Sequence, residues 1–98
     1  MLEVSDIEAA LSSYYGKEIK ISDVSLRIYE YLDEECINWL EFSIDGEEWL
    51  SDSDLWDETF ADYFPTIHVP LDGYDEEEIY AQLFDFDARS TFKSIAWF

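Results

Sequence analysis

A β-hairpin is predicted at residues 36–50, which have the sequence CINWLEFSIDGEEWL. Its first strand extends from about Cys36 to Ile44, a run rich in the apolar and aromatic residues that favour strands. Asp45-Gly46 then predicts a tight turn of the primed type, because both residues tolerate the positive φ that such a turn requires. Glu47 to Leu50 is expected to form the returning strand, so the two strands pair antiparallel.

Further strands are predicted on both sides of this hairpin. Apolar and polar residues alternate from Ile19 to Ile28, and a bulge or break is expected near Ser22–Asp23. The apolar residues between about Thr91 and Trp97 predict the last strand. Together these segments predict a small antiparallel sheet of about four strands, a usual size for a sheet.

Two or three helices are predicted to pack on this sheet. Ser5 and Glu8 match the S-x-x-E capping box at the start of the first helix, and Gly16 is a suitable left-handed stop. A second helix is predicted from Asp54 to Phe64, with its apolar residues on one side. A third is predicted from about Asp75 to Phe84, with acids in its first turn, where the helix dipole favours negative charge. The predicted fold class is therefore α+β.

The composition predicts one folded domain, residues 1–98, despite its acidity. Acidic chains that lack apolar residues are often disordered, but 48% of these residues are hydrophobic and 18% are aromatic. Each aromatic side chain buries about 150–250 Å², so the four Trp, seven Tyr and seven Phe can build a dense small core. We therefore expect a folded domain with an acidic surface, and no acidic tail.

Negative charge is concentrated in the middle of the chain. No Lys or Arg occurs between Ile28 and Ala88, and 20 of the 25 acidic residues lie there. The formal net charge is −20. A surface that serves solubility usually mixes both signs, and like charges oppose compaction. Halophilic adaptation usually brings weaker apolar content than this chain has. The pattern indicates a surface directed at a strongly positive partner.

The candidate partner-binding residues are acids predicted on the hairpin, on the second helix and at the start of the third. Neighbours three or four apart on a helix are about 5–6 Å apart at Cβ, a spacing of the same order as that of DNA phosphates. The basic residues are expected on a more neutral side. The candidates are Asp45, Glu47, Glu48, Asp52, Asp54, Asp57, Glu58, Asp62, Asp75, Glu76, Glu77 and Glu78.

The sequence predicts no catalytic residue, metal or cofactor, and hence no enzyme. Asp52 to Asp57 departs from an EF-hand loop, which needs Gly at its sixth position. His68 and Cys36 alone cannot form a zinc site. Pairs of carboxylates are uninformative among 25 acids, and there is no Gly-rich phosphate loop.

The charge also bears on binding partners and location. Nucleic acid and anionic membranes both repel a chain of net charge −20, so direct binding to either is disfavoured. Only one cysteine is present, and the N-terminus has no basic region and apolar run typical of a signal peptide. A cytoplasmic location is expected, in the host cell if a phage encodes the chain.

In size, acidic excess and aromatic content, the chain resembles the small acidic DNA-mimic inhibitors made by phages and mobile elements, such as anti-restriction and anti-CRISPR proteins. This resemblance implies a non-catalytic inhibitor that occupies the nucleic-acid site of a basic host nuclease or of a CRISPR or restriction complex. The alternative is an immunity protein or antitoxin that caps a basic toxin such as a nuclease. The C-terminal Ala96-Trp97-Phe98 is either part of the core or a homodimer contact.

Overall fold

The computed structural model describes residues 1–31, 36–51, 54–55 and 73–98. The prediction of an α+β fold, with a small sheet packed by helices, is confirmed. The described elements are α1 (Val4–Tyr15), a 3-10 helix (Ile21–Asp23), β1 (Val24–Tyr31), β2 (Cys36–Ile44), β3 (Leu50–Ser51), α2 (Glu76–Leu83), α3 (Ala88–Thr91) and β4 (Ser94–Trp97).

The described strands form one sheet in the order β3-β2-β1-β4. β1 pairs antiparallel with β2, and β2 with β3, as the hairpin prediction requires. β4 departs from that pattern because it lies parallel to β1, with Ser94 opposite Ser25 and Trp97 opposite Ile28. Parallel neighbours need a crossover connection, and α2 and α3 lie in the chain between these two strands.

The predicted turn of the hairpin is confirmed. Asp45 and Gly46 have φ of 41° and 81°, and the Glu47 N–H donates to the Ile44 carbonyl at 2.8 Å. The returning strand is shorter than predicted, because pairing resumes only at Leu50, opposite Phe42. Residues 45–49 therefore form a loop that projects two acids, Glu47 and Glu48, from the end of the sheet.

Gly46→Ala is expected to lower the free energy of unfolding by about 1–2 kcal/mol, the cost of a left-handed residue that carries a Cβ. No atom lies within 4 Å of the position that this Cβ would take, so the loss reflects backbone conformation alone. Urea unfolding measures it. Glu47→Ala is the control, since Glu47 is outside the positive-φ region. An equal loss in both variants would contradict the assigned turn.

Helix α1 begins two residues earlier than predicted. Its N-cap is Glu3, whose N–H donates to the Asp6 carboxylate at 3.1 Å. Glu8 is not part of that cap, because its carboxylate accepts the Ile21 N–H at 2.8 Å. The contact holds the 3-10 helix against α1, so the break predicted near residues 22–23 is present. The predicted stop at Gly16 is confirmed, with φ of 68°.

The C-terminal third of the described chain follows the prediction with adjusted bounds. Asp75 caps α2, since its side chain accepts the Glu78 N–H at 2.9 Å. β4 begins at Ser94, because Ala88–Thr91 forms α3 instead of the start of a strand. The predicted second helix, Asp54 to Phe64, lies outside the described residues apart from its first two positions.

The core lies between the helices and one face of the sheet. Leu26 and Ile28 of β1 are fully buried, as are Leu40 and Phe42 of β2. They belong to one cluster with the apolar residues of α1 and α2 and with Phe92. Among the described residues, Ser43 is the one buried polar residue. No described Asp or Glu residue is fully buried, although Glu41 of β2 is largely covered.

Candidate functional site

The acids of the hairpin loop diverge to two sides. Asp45 accepts a hydrogen bond from the Lys93 ammonium at 2.7 Å. This hydrogen bond and the charge of Lys93 lower the pKa of Asp45 below its ordinary value. Glu48 lies on the other side, where its Oε1 accepts the Tyr14 hydroxyl at 3.1 Å. Asp45 therefore already has a cationic partner within the molecule, whereas Glu48 pairs with no base of the described chain.

Three predicted acids come together beside the end of α1. The hydrogen bond to Glu48, the charge of Glu48, partial burial and the charge of Asp54 raise the pKa of Tyr14. Burial, followed by the charges of Glu47 and Glu48, raises that of Tyr15. Because Tyr14 and Tyr15 are adjacent, the negative charges of the three acids act on the same part of the surface. We call Glu47, Glu48 and Asp54 the hairpin acidic cluster.

The backbone of this cluster is held by short-range hydrogen bonds. The Asp54 carboxylate accepts the Ser51 N–H at 2.9 Å and the Ser51 hydroxyl at 3.0 Å. The Ser43 hydroxyl donates to the Glu47 carbonyl at 2.7 Å, which fixes the loop on β2. The carboxylates of Glu47 and Glu48 stay exposed, and in the described structure neither forms an ion pair. They can therefore accept hydrogen bonds from a cationic partner.

The second predicted cluster, the first turn of α2, is partly neutralised. Arg89 pairs with Glu76 at 2.5 Å and also with Glu77. Asp75 is used as the N-cap. Glu78 is exposed, and no ion pair to it occurs within the described ranges. Of the four acids at this helix start, Glu78 is the one that neither caps the helix nor pairs with a base of the described chain.

Two of the basic residues lie against acids of the predicted surface, since Lys93 pairs with Asp45 and Arg89 pairs with Glu76 and Glu77. β4 runs parallel to β1, whose first residue pairs with Ile44, so Lys93 reaches the hairpin turn. α3 likewise brings Arg89 onto α2. The pairing depends on a crossover that local sequence does not reveal. Both contacts subtract from the predicted acidic surface, at Asp45 and at the start of α2.

Four candidates on the predicted second helix and just before it lie outside the described residues. They are Asp52, Asp57, Glu58 and Asp62. Their arrangement as a row stays a prediction. Asp54, which begins that predicted helix, is described, and it belongs to the hairpin acidic cluster through its charge on Tyr14.

A groove of about 350 Å³ lies between α2, α3 and β4. Its wall includes Tyr80 and Trp97, whose indole N–H donates to the Tyr80 hydroxyl at 2.8 Å. Its cations, Arg89 and Lys93, are both engaged with carboxylates. In the described part of the chain, no group of three His, Cys, Asp or Glu side chains could hold a metal ion. The groove therefore adds no site for a charged ligand.

No protein-family model, curated protein or solved structure matches this chain. Function is therefore inferred from the charges and contacts of the chain itself. Within the described ranges, no helix has both the length and the apolar character needed to cross a membrane.

Lys93→Met is expected to raise the pKa of Asp45 towards its ordinary value of 3.8. The depressed pKa stabilises the fold above that ordinary value, and the contribution is lost as the pH falls through the pKa of the folded state. The variant should therefore be less stable than the parent near neutral pH and equal to it in strong acid. A carboxyl titration followed by NMR measures the pKa.

Lys20→Met is the matched control, because Lys20 pairs with Glu18 and not with Asp45. It removes the same charge from the same end of the molecule and should leave the Asp45 titration close to that of the parent. Equal shifts in the two variants would show that overall charge, and not the Lys93 contact, sets the pKa of Asp45.

Proposed function

We propose that this chain is a non-catalytic inhibitor that acts by DNA mimicry. It occupies the nucleic-acid-binding site of a basic host protein, a defence nuclease or a CRISPR or restriction complex. Charge per unit length carries the proposal. The long axis of the molecule measures 39 Å, and the net charge is −20. Duplex DNA of that length has about 23 phosphate charges, at one per about 1.7 Å.

The rigidity of the acidic surface supports this proposal. An acidic tail loses conformational entropy when it orders on a partner. The hairpin acidic cluster is instead mounted on a tight turn and on β2, and the helix that carries Glu78 packs into the core through Ile79 and Leu83. A partner therefore meets acids carried on an ordered backbone, and little binding energy is spent on ordering that backbone.

Binding is electrostatic, and the bound inhibitor offers a nuclease no bond that it could cut. The long-range field of the chain accelerates encounter with a basic channel, and salt screens that field. In the complex, Glu47, Glu48, Asp54 and Glu78 accept hydrogen bonds from the Lys and Arg residues that otherwise hold phosphates. Carboxylates offer no phosphodiester to a nuclease. The bound site is thereby closed to its nucleic acid.

A two-step experiment tests the proposal. Immobilised protein is mixed with bacterial lysate at low salt, and bound proteins are eluted with duplex DNA and identified. Each captured protein is then purified, and its binding to labelled duplex DNA is measured while the chain is added. We expect the chain to displace DNA stoichiometrically, with an affinity that falls as salt rises. Polyglutamate of equal total charge is the control and should displace DNA more weakly.

Three outcomes have different meanings. Failure to capture any nucleic-acid-binding protein, or displacement no better than that by polyglutamate, would overturn the proposal. Inhibition of a captured nuclease without displacement of its DNA would instead favour the immunity-protein alternative, because such a protein binds beside the active site. Displacement of DNA without inhibition of any cleavage activity would limit the proposal to binding proteins that are not nucleases.

A further inference from the structure

The face of the sheet opposite the core carries a second feature that the charge does not explain. Leu26 and Ile28 of β1 point into the core, so the alternating residues of β1 and β2 lie on the other face. Two of these, Tyr29 and Trp39, are aromatic, and two aromatic residues from neighbouring segments join them. We call this set the outer face: Arg27, Tyr29, Trp39, Glu41, Trp49 and Phe98.

The planar groups of the outer face form a continuous row. Tyr29 stacks on Trp39, with ring centroids 4.7 Å apart and planes inclined by 27°. It also stacks on Phe98 at 5.4 Å and 22°. The Arg27 guanidinium lies 5.1 Å from the Phe98 ring centroid and 3.9 Å from that of Trp49. The row is ordered without a partner, so association requires little rearrangement.

This row is partly open to solvent and its charges balance. Phe98 is 56% exposed, the most exposed aromatic residue of the described chain. Tyr29, Trp39 and Trp49 are half-buried. The ionic residues of the face are one base and one acid, Arg27 and Glu41, whose Nη1 and Oε1 atoms are 3.9 Å apart. The side chains of the outer face thus form an aromatic patch without net charge, on a chain of net charge −20.

We propose that the outer face is the surface through which two copies of this chain associate. Acidic surfaces of two copies repel each other, so contact is least unfavourable where net charge is zero. A basic partner is not favoured here, because Arg27 already occupies the space between the Trp49 and Phe98 rings. An identical neutral face meets this surface without an unpaired charge, and a two-fold axis lets one patch serve both copies.

The size of the face predicts a weak dimer. β1 and β2 have eight and nine residues, but β3 has two and β4 has four. At about 3.3 Å along a strand and about 4.8 Å between strands, one face of this sheet covers about 360 Å². The total of about 700 Å² for two copies is below the usual size of specific interfaces and corresponds to a weak, transient contact. The dimer should therefore form at high protein concentration and dissociate on dilution.

Salt distinguishes this association from DNA mimicry. Attraction to a basic partner weakens as salt screens opposite charges. Dimerisation should strengthen, because the same screening reduces repulsion between two acidic copies while apolar contact persists. Binding to the basic partner and dimerisation thus respond to salt in opposite directions. The dimer proposal also stands or fails independently, since it uses none of the acids of the hairpin acidic cluster.

Sedimentation equilibrium of the intact chain, from about 0.05 M to about 0.5 M NaCl, tests the proposal. We expect a monomer–dimer equilibrium whose dissociation constant falls as salt rises. Phe98→Ser should raise that constant by about tenfold or more, as loss of a central aromatic contact does. Tyr74→Ser is the matched control, because Tyr74 is an aromatic residue of similar exposure, 44%, outside the sheet.

The fold of Phe98→Ser is checked by circular dichroism, since the Phe98 backbone also pairs with Ile28 and Glu30 of β1. Trp49→Ser, in the hairpin loop, provides a second variant of the same face. A chain that stays monomeric at every concentration and salt would overturn the proposal. A dimer that dissociates as salt rises would also overturn it. So would equal dissociation constants for the parent and for both outer-face variants.

Discussion

Phe42→Ala is expected to lower the free energy of unfolding by about 3–5 kcal/mol, the usual cost of deleting a buried phenyl group. Phe42 is fully buried at the centre of the sheet, opposite Leu26 of β1 and Leu50 of β3. Its ring also packs against Phe92, with centroids 6.3 Å apart. The truncation leaves a cavity bordered by both strands and the C-terminal helical segment, where rigid neighbours cannot fill it.

This loss of unfolding free energy is a large part of the total stability expected for a small, highly acidic domain. A small domain is stable by about 5–15 kcal/mol, and self-repulsion of the acids reduces that margin. The variant should be mostly unfolded at low salt and recover partly when salt screens the acids. Urea unfolding at two ionic strengths measures both effects. Trp39→Ala, on the outer face, is the control and should cost less, and a greater loss there would contradict the assignment of the two faces.

The elements whose signal is local were predicted well. Cys36–Ile44 is a strand with the predicted bounds, and Asp45-Gly46 turns it, because turn chemistry acts within four residues. The predicted start of α1 is two residues too late. Ser5 with Glu8 matches a capping box, but Glu3 with Asp6 forms the actual cap. Glu3 caps that helix, and Glu8 is drawn away by the backbone of Ile21.

The distribution of charge could not be predicted from its position along the chain. The gap between Ile28 and Ala88 places the bases far from the acids in sequence, but β4 crosses back to lie beside β1. Lys93 thereby reaches Asp45 across 48 positions. Such a contact depends on the crossover connection, and no local pattern encodes it. The total charge follows from the composition, whereas the pairing of the charges follows from the fold.

Glu47→Gln combined with Glu48→Gln is expected to weaken binding to the nucleic-acid-binding partner by roughly 30–150-fold at about 0.1 M salt. Each carboxylate accepts a charge-assisted hydrogen bond, and the loss of one costs about 1–1.5 kcal/mol. Neither residue forms an ion pair in the described structure, so a partner cation binds them without displacing one. Glutamine keeps the shape of the side chain, and the effect therefore isolates charge. Competition for labelled duplex DNA measures the affinity.

The matched control is Glu18→Gln combined with Asp23→Asn, which removes the same amount of negative charge but lies beside Lys17, Lys20 and Lys93. If binding responds to net charge alone, the two double variants lose affinity by equal factors at every salt concentration. If the hairpin acidic cluster is the contact surface, the control retains most of the affinity. Asp45→Asn should also have a small effect, because Lys93 already neutralises that carboxylate. A loss with Asp45→Asn as large as that of the Glu47 and Glu48 pair would mean that the partner displaces Lys93, and would move the contact surface to the other side of the hairpin.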